Sequence, residues 1–162
     1  MEKDEIFKLA ERYVEATGRS VFLTGKAGTG KTTFLRHITQ STTKRFVVLA
    51  PTGVAAINAG GSTIHSFFQL PLCPYLPDVK ELITEYQMPE RYRRLRKERI
   101  KINRTLDLLI IDEMSYLTFN RHQSELLFKV VSDRAEKQSV IVSTNLKFSD
   151  WTTMFDNPIM VS

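Results

Sequence analysis

Apolar residues in this chain follow two patterns: short continuous runs, and longer stretches at helical spacing. The continuous runs are Ser20 to Thr24 (SVFLT), Arg45 to Ala50 (RFVVLA), Leu106 to Ile111 (LDLLII) and Ser139 to Ser143 (SVIVS). Runs this short, rich in Val, Ile and Leu and bounded by residues such as Gly25 and Pro51, predict strands buried on both faces. Helical spacing appears from Glu2 to Ala16, with Ile6, Leu9, Ala10, Tyr13 and Val14, ended by Thr17-Gly18. It recurs across Lys31 to Thr39, in the alanine-bearing Gly53 to Ala59 before Gly60-Gly61, and from about Arg121 to Glu136. In that last stretch Leu126, Leu127, Val130 and Val131 share one face. Buried strands alternating with helices predict an α/β fold in three layers, with a mostly parallel sheet covered on both sides.

The segment from Pro71 to Pro89 breaks the alternation. It has prolines at 71, 74 and 77 and then a helical pattern across Val79 to Tyr86. With the basic run that follows, it predicts an insertion over residues 71–104 ahead of the third strand. No repeat and no Gly- or Ser-rich linker divides the chain, so residues 1–162 read as a single domain, large enough to bury a core without a covalent staple.

Charge and cysteine content narrow the class. The one cysteine, Cys73, excludes a disulfide framework and a cysteine zinc site. The first residues are too charged for a signal peptide, and no apolar run reaches the ~18 residues of a membrane span, so a cytoplasmic protein without a membrane partner is expected. Net charge is +5, yet the stretch from Arg91 to Arg104 alone carries eight basic residues against one acid, Glu98. That concentration suits a polyanion partner. It equally suits the solvated face of an inserted helix with Tyr92, Leu95 and Ile102 turned inward.

The candidate chemistry begins at GKAGTGKT, Gly25 to Thr32, a full G-x-x-x-x-G-K-[ST] motif between a predicted strand and a predicted helix. Its backbone amides and the positive end of the helix suit the phosphates of ATP. The predicted contacts are Gly25, Lys26, Ala27, Gly28, Thr29, Gly30, Lys31, Thr32 and Thr33. Lys31 is expected to reach the β and γ phosphates, and the Thr32 hydroxyl to ligate Mg²⁺. LLIIDE, Leu108 to Glu113, sets Asp112 at the carboxyl end of a buried strand as a second metal-site residue, with Glu113 as candidate base for the attacking water. Past the fourth strand, Asn145 is the residue expected to contact the γ phosphate or that water. As an alternative it is a turn residue leaving a strand. The motif and its flanks together predict a P-loop NTPase of RecA/AAA+-like form.

Residues 20 to 115 resemble the motor of Pif-type helicases of superfamily one, through VFLTGKAGTGKTT, VLAPTGVAAINAGGSTIHSFFQLP and LDLLIIDEMS. The resemblance implies ATP hydrolysis coupled to single-stranded DNA, a role in DNA repair or recombination, and a strand path lined by Thr52, Gly53, Thr63, His65 and Phe67. Hydroxyls, amides and an imidazole can hold phosphates while an aromatic ring stacks a base. His65 and Phe67 can equally be packing residues. Arg93, Arg94 and Arg96 of the basic run join the expected DNA contacts.

Downstream of Ser115 the third helicase motif is missing. The sequence instead resembles the end of the IstB/DnaC-like AAA+ core, through Glu125-Leu126-Leu127-Phe128, Ser132-Asp133-Arg134, Ser143-Thr144-Asn145-Leu146, Phe148-Ser149 and Trp151. That resemblance implies, as an alternative, an ATPase helper that assembles on DNA in transposition or helicase loading. Both resemblances imply an arginine supplied from elsewhere, so the chain is expected to be an incomplete core that hydrolyses ATP slowly alone. A second motor domain or a neighbouring copy would supply that arginine. Arg134 reads as a solvated helix arginine near Asp133 and Glu136, and Trp151 as a core anchor.

Overall fold

The computed structural model describes residues 3–69, 89–114, 127, 130–134, 137–147 and 150. The predicted helix over Val79 to Tyr86, Cys73 and Trp151 lie outside the described residues, as does the side chain of Tyr92. Helix α1 spans Lys3–Ala16, strand β1 Val21–Thr24, helix α2 Lys31–Ser41, and strand β2 Phe46–Ala50. Then come helix α3 over Gly53–Asn58, a two-residue strand β3 at Ser62–Thr63 and helix α4 over Ile64–Phe68. Helix α5 covers Glu90–Thr105, ahead of strand β4 at Leu108–Ile111 and strand β5 at Ser139–Thr144.

The five strands form one sheet in the order β1-β5-β4-β2-β3, and every pair in it is parallel. Successive side chains of a strand point to opposite faces, so a strand buried on both sides feeds two separate cores. Strand β4 does this with four fully buried residues. Leu108 and Ile110 join Val14, Phe34, Leu35, Ile38, Val48 and Ile141 on the face covered by α1 and α2. Leu109 and Ile111 join Leu49, Ile64, Phe67, Phe68, Leu127, Val130 and Val140 on the other face. The expected three-layer parallel arrangement is present.

Two details differ from the sequence expectation. Helix α1 packs through Phe7, Ala10 and Val14, while Ile6, Leu9 and Tyr13 stay 42 to 50% exposed. Phe7 sets this rotation, because its ring meets Phe34 edge-on at 5.0 Å and so fixes which stripe faces the sheet. The end of α1 is tied down by Lys44, whose amine donates to the carbonyls of Val14 and Thr17, and by the Ser139 hydroxyl, which also donates to the Thr17 carbonyl. A cation at the carboxyl end of a helix satisfies orphan carbonyls and opposes the dipole.

Arg134 is the second difference. It has no exposed surface, and its guanidinium donates to the carbonyls of Asn103, Leu106 and Ser139 and to the Asn103 side chain. Burial lowers its pKa to about 10, which still leaves it a cation at neutral pH. The expected solvated arginine is therefore an internal clamp on the end of α5 and the starts of β4 and β5. Asp133, its expected neighbour, pairs with Arg104 at 3.0 Å instead.

Helix α3 returns to the sheet through a close approach at Gly61. A methyl group there would lie 2.2 Å from the Val48 carbonyl oxygen, a distance no side chain tolerates. This contact lets β3 pair with the end of β2, with Leu49 opposite Ser62 and Ala50 opposite Thr63.

Candidate nucleotide site

A parallel sheet brings the carboxyl ends of all its strands to one edge, where ligands of α/β folds bind. Here β1 runs into Gly25, β4 into Asp112 and Glu113, β5 into Asn145, and β2 into Pro51 and Thr52. Strand order does the rest. Because β5 lies between β1 and β4, with Thr24 opposite Thr144 and Ile111 opposite Val142, the end of β5 separates the glycine loop from the acidic pair.

The loop from Gly25 to Gly30 depends on conformations that favour glycine. Gly28 and Gly30 take φ of 77° and 95°, and Gly30 caps α2 in the left-handed region with no side-chain cap bond. The first turn of α2 contains no acidic residue, so its amides and dipole are left for an anion. Lys31 Nζ folds back over the loop, donating to the carbonyls of Gly25 at 2.6 Å and Lys26 at 3.0 Å. Thr29 closes the turn through its hydroxyl to the Lys26 carbonyl at 2.9 Å. Lys26, Ala27, Gly28, Thr29, Thr32 and Thr33 are exposed around this cradle, as a phosphate site requires.

At the facing strand, Asp112 is 5% exposed. Its Oδ1 accepts from the Ser143 hydroxyl and from the Glu113 amide, and that same amide lies 3.1 Å from Ser143 Oγ. Glu113 has φ of 55°, a left-handed conformation that is uncommon for a residue other than glycine. Strained backbone of this kind collects at functional sites. Asn145 sits exposed just past β5 and has a partner of its own. Thr24, which the sequence left unassigned, fastens the start of the loop to the segment just past β5 by donating its hydroxyl to the Leu146 carbonyl at 2.9 Å.

The second group of expected contacts is divided. Thr52 and Thr63 lie at the same sheet edge and cap α3 and α4, accepting from the amides of Ala55 and Ser66 at 3.2 and 3.1 Å. Gly53 is exposed at the start of α3. His65 is half-buried, and burial lowers its pKa, which favours the neutral imidazole. Phe67 is a packing residue: its ring is 7% exposed, meets Phe68 edge-on at 4.9 Å and carries the Arg99 guanidinium 5.4 Å above it. Burial removes it from base stacking.

Helix α5 is not one solvated basic face. Arg94 is exposed beside Glu98, Arg93 pairs with Glu90 at 2.8 Å, and Arg96 is buried at 6% exposure. Ile102, expected inside, is 42% exposed, whereas Asn103 is buried as a partner of Arg134. Arg96 therefore cannot reach a strand on the surface.

A family model described as IstB-like ATP binding protein matches residues 3–162. The chain belongs to the IstB-like ATP binding proteins. That match runs through the point near β4 where the sequence changes its resemblance. Among curated relatives, a Pseudomonas aeruginosa protein named for insertion sequence IS21 and for ATP binding is 29% identical over 143 residues, 88% of this chain and 44% of its own length. The ATP-dependent DNA helicase Pif1 of Campylobacter jejuni is 35% identical over 104 residues, 62% of this chain and 22% of its own. Among solved structures, Bacteroides Pif1 in complex with ADP-AlF3 and single-stranded DNA superposes with a TM-score of 0.61 at 31% identity, over 90% of this chain and 33% of that one. A DNA replication initiation factor shares the fold with a TM-score of 0.59 at 14% identity. The chain thus spans less than half the length of the relatives it matches. The domain is a P-loop domain of IstB-like type with helicase similarity, and among its described residues no helix is long and apolar enough to cross a membrane.

Proposed function

We propose that this domain binds ATP with Mg²⁺ at the edge formed by Gly25 to Thr33, Asp112 and Glu113, hydrolyses it, and couples that cycle to single-stranded DNA as Pif-type motors do. The observation carrying the proposal is the strand order: β5 is interposed so that a glycine cradle and an acidic pair face one another across a single strand. The donor set suits the ion. Mg²⁺ prefers oxygen ligands, keeps waters, and is commonly held by one or two carboxylates plus substrate phosphates. Asp112 and the Thr32 hydroxyl provide such a set, and no denser cluster of His, Cys, Asp and Glu occurs among the described residues. When bound, the ion neutralises charge on the phosphates.

The protein's own residues supply the remainder. Loop amides and the start of α2 orient the triphosphate, and Lys31 exchanges its two carbonyl partners for phosphate oxygens. Glu113 orients or deprotonates the attacking water, and Asn145 contacts that water or the γ phosphate. DNA reaches the same edge over Thr52, Gly53, Thr63 and neutral His65, and Arg93 and exposed Arg94 of α5 meet phosphates. An arginine from a second domain or a neighbouring copy completes the site. Without it turnover is slow, since such a group is worth about 10³ to 10⁵ in rate in related phosphoryl transfers.

The family match over residues 3–162 favours a second reading, a helper ATPase that assembles on DNA in transposition or helicase loading. ATP turnover with and without single-stranded DNA, at several protein concentrations, separates the two. Stimulation by DNA at low protein concentration supports the motor, and steep dependence on protein concentration supports the assembling helper. No turnover under any of these conditions would remove the hydrolysis claim.

A further inference from the structure

The residue that joins β5 to the acidic pair is Ser143, and none of the assigned roles uses it. It is 1% exposed, so its hydroxyl has no water to bond and must use protein partners. The partners are both at the acidic pair: the hydroxyl donates to Asp112 Oδ1 and its oxygen, Ser143 Oγ, accepts from the Glu113 amide at 3.1 Å. Asp112 Oδ1 takes the Glu113 amide as well, at 3.0 Å. One hydroxyl, one carboxylate oxygen and one amide thus form a closed triangle at the end of β4.

The triangle has two consequences. It fixes the carboxylate of Asp112 through Oδ1, leaving Oδ2 outside these bonds. It also holds the Glu113 amide from two sides, which keeps that residue in its left-handed conformation at φ of 55°. Strand register explains why position 143 does this: Val142 is opposite Ile111, so the next residue of β5 comes level with Asp112.

We infer that Ser143 is a positioning residue that sets the orientation of both Asp112 and Glu113, and so couples the interior strand β5 to the metal and water side of the site. The inference rests on the proposed MgATP site. Its separate prediction is that Ser143 governs the gain in nucleotide affinity that Mg²⁺ gives, while leaving the loop's hold on phosphate intact. A hydrogen bond to a charged group is commonly worth about a tenfold change in an equilibrium constant, or more.

The test is titration of ATP with Mg²⁺ and with EDTA, together with kcat and KM, for the parent protein, Ser143→Ala, Ser143→Cys and Ser143→Thr. In Ser143→Ala, affinity in EDTA should stay within about twofold, the Mg²⁺-dependent gain should fall about tenfold, and kcat should fall with it. Ser143→Cys preserves volume but donates weakly, so it should behave like Ser143→Ala and carries the test if that variant unfolds. Ser143→Thr keeps the hydroxyl and should restore the gain. A full Mg²⁺ gain and unchanged kcat in both Ser143→Ala and Ser143→Cys overturn the inference, as does an equal loss in EDTA and in Mg²⁺. A parent protein with no Mg²⁺-dependent ATP binding would instead overturn the site on which it rests.

Discussion

The phosphate loop and helix α5 are both rich in groups suited to anions, yet they use them in opposite ways. In the loop, the groups proposed to meet phosphate are largely backbone amides, in a segment whose glycines take φ values of 77° and 95° that their residue type favours. Side chains there matter only at fixed offsets, and the offsets are the motif. In α5 the groups are side chains, and the neighbours of each decide what it does. Arg94 lies at the surface beside Glu98, Arg93 holds Glu90, Arg96 is buried, and Arg99 covers the ring of Phe67. Chemistry carried by a backbone conformation is local, whereas chemistry carried by long charged side chains is set by packing from elements distant in sequence.

The largest effect that sharpens this contrast is expected at Arg134, the clamp behind α5. Arg134→Met removes charge-assisted bonds to three carbonyls, two of them buried, and urea unfolding should show a loss of about 3 kcal/mol or more, since orphaned buried acceptors then carry their full desolvation penalty with no partner to offset it. Exposed Arg94→Gln should change stability by less than about 0.5 kcal/mol in the same measurement. Equal effects would erase the distinction between clamp and surface.

In the loop, Gly30→Ala forces a side chain into a left-handed cap, a cost of roughly 1 to 2 kcal/mol. Unfolding and ATP titration should both register it, and a neutral result would mean that the cap conformation is not required. For α5, the contrast between neighbours is the prediction. If the strand binds along this helix, Arg94→Gln should lower the slope of log affinity against log salt by about 1, while buried Arg96→Gln leaves it unchanged. An equal reduction from both would place Arg96 on the surface.

The smallest effect concerns the exposed pair Arg45 and Asp107. The Arg45 guanidinium hydrogen-bonds Asp107 and holds its carboxyl down at about 2, below its ordinary 3.8. A carboxylate whose pKa is depressed by folding contributes stability above its unfolded value and loses it as pH falls through the folded one. Asp107→Asn should therefore flatten the acid limb of the stability profile between about pH 4 and 2, and an unchanged limb would show the pair to be inert.

Legibility in the sequence follows the same division. Strands β1, β2, β4 and β5 were readable because buried parallel strands are continuous apolar runs, and the glycine motif was readable because its meaning is local. Strand β3 was not, since two residues make no pattern and their pairing depends on the close approach at Gly61. Arg134 and Asn103 were unreadable for a related reason: they satisfy each other across 31 positions of chain. Ser143 was visible within Ser143-Thr144-Asn145, but selecting it over Asn145 required the register that levels it with Asp112. Phe67 kept two meanings until Phe68 and Arg99 closed around its ring.

The central claim is that the loop from Gly25 to Thr32 binds the phosphates of ATP through Lys31. Titration of ATP in Mg²⁺ against the parent protein and Lys31→Ala, with folding of both checked by thermal melting, tests it most directly. Loss of the charged contact should weaken binding by about tenfold to a hundredfold with little change in melting temperature of the free protein. Equal affinity in the two proteins would contradict it.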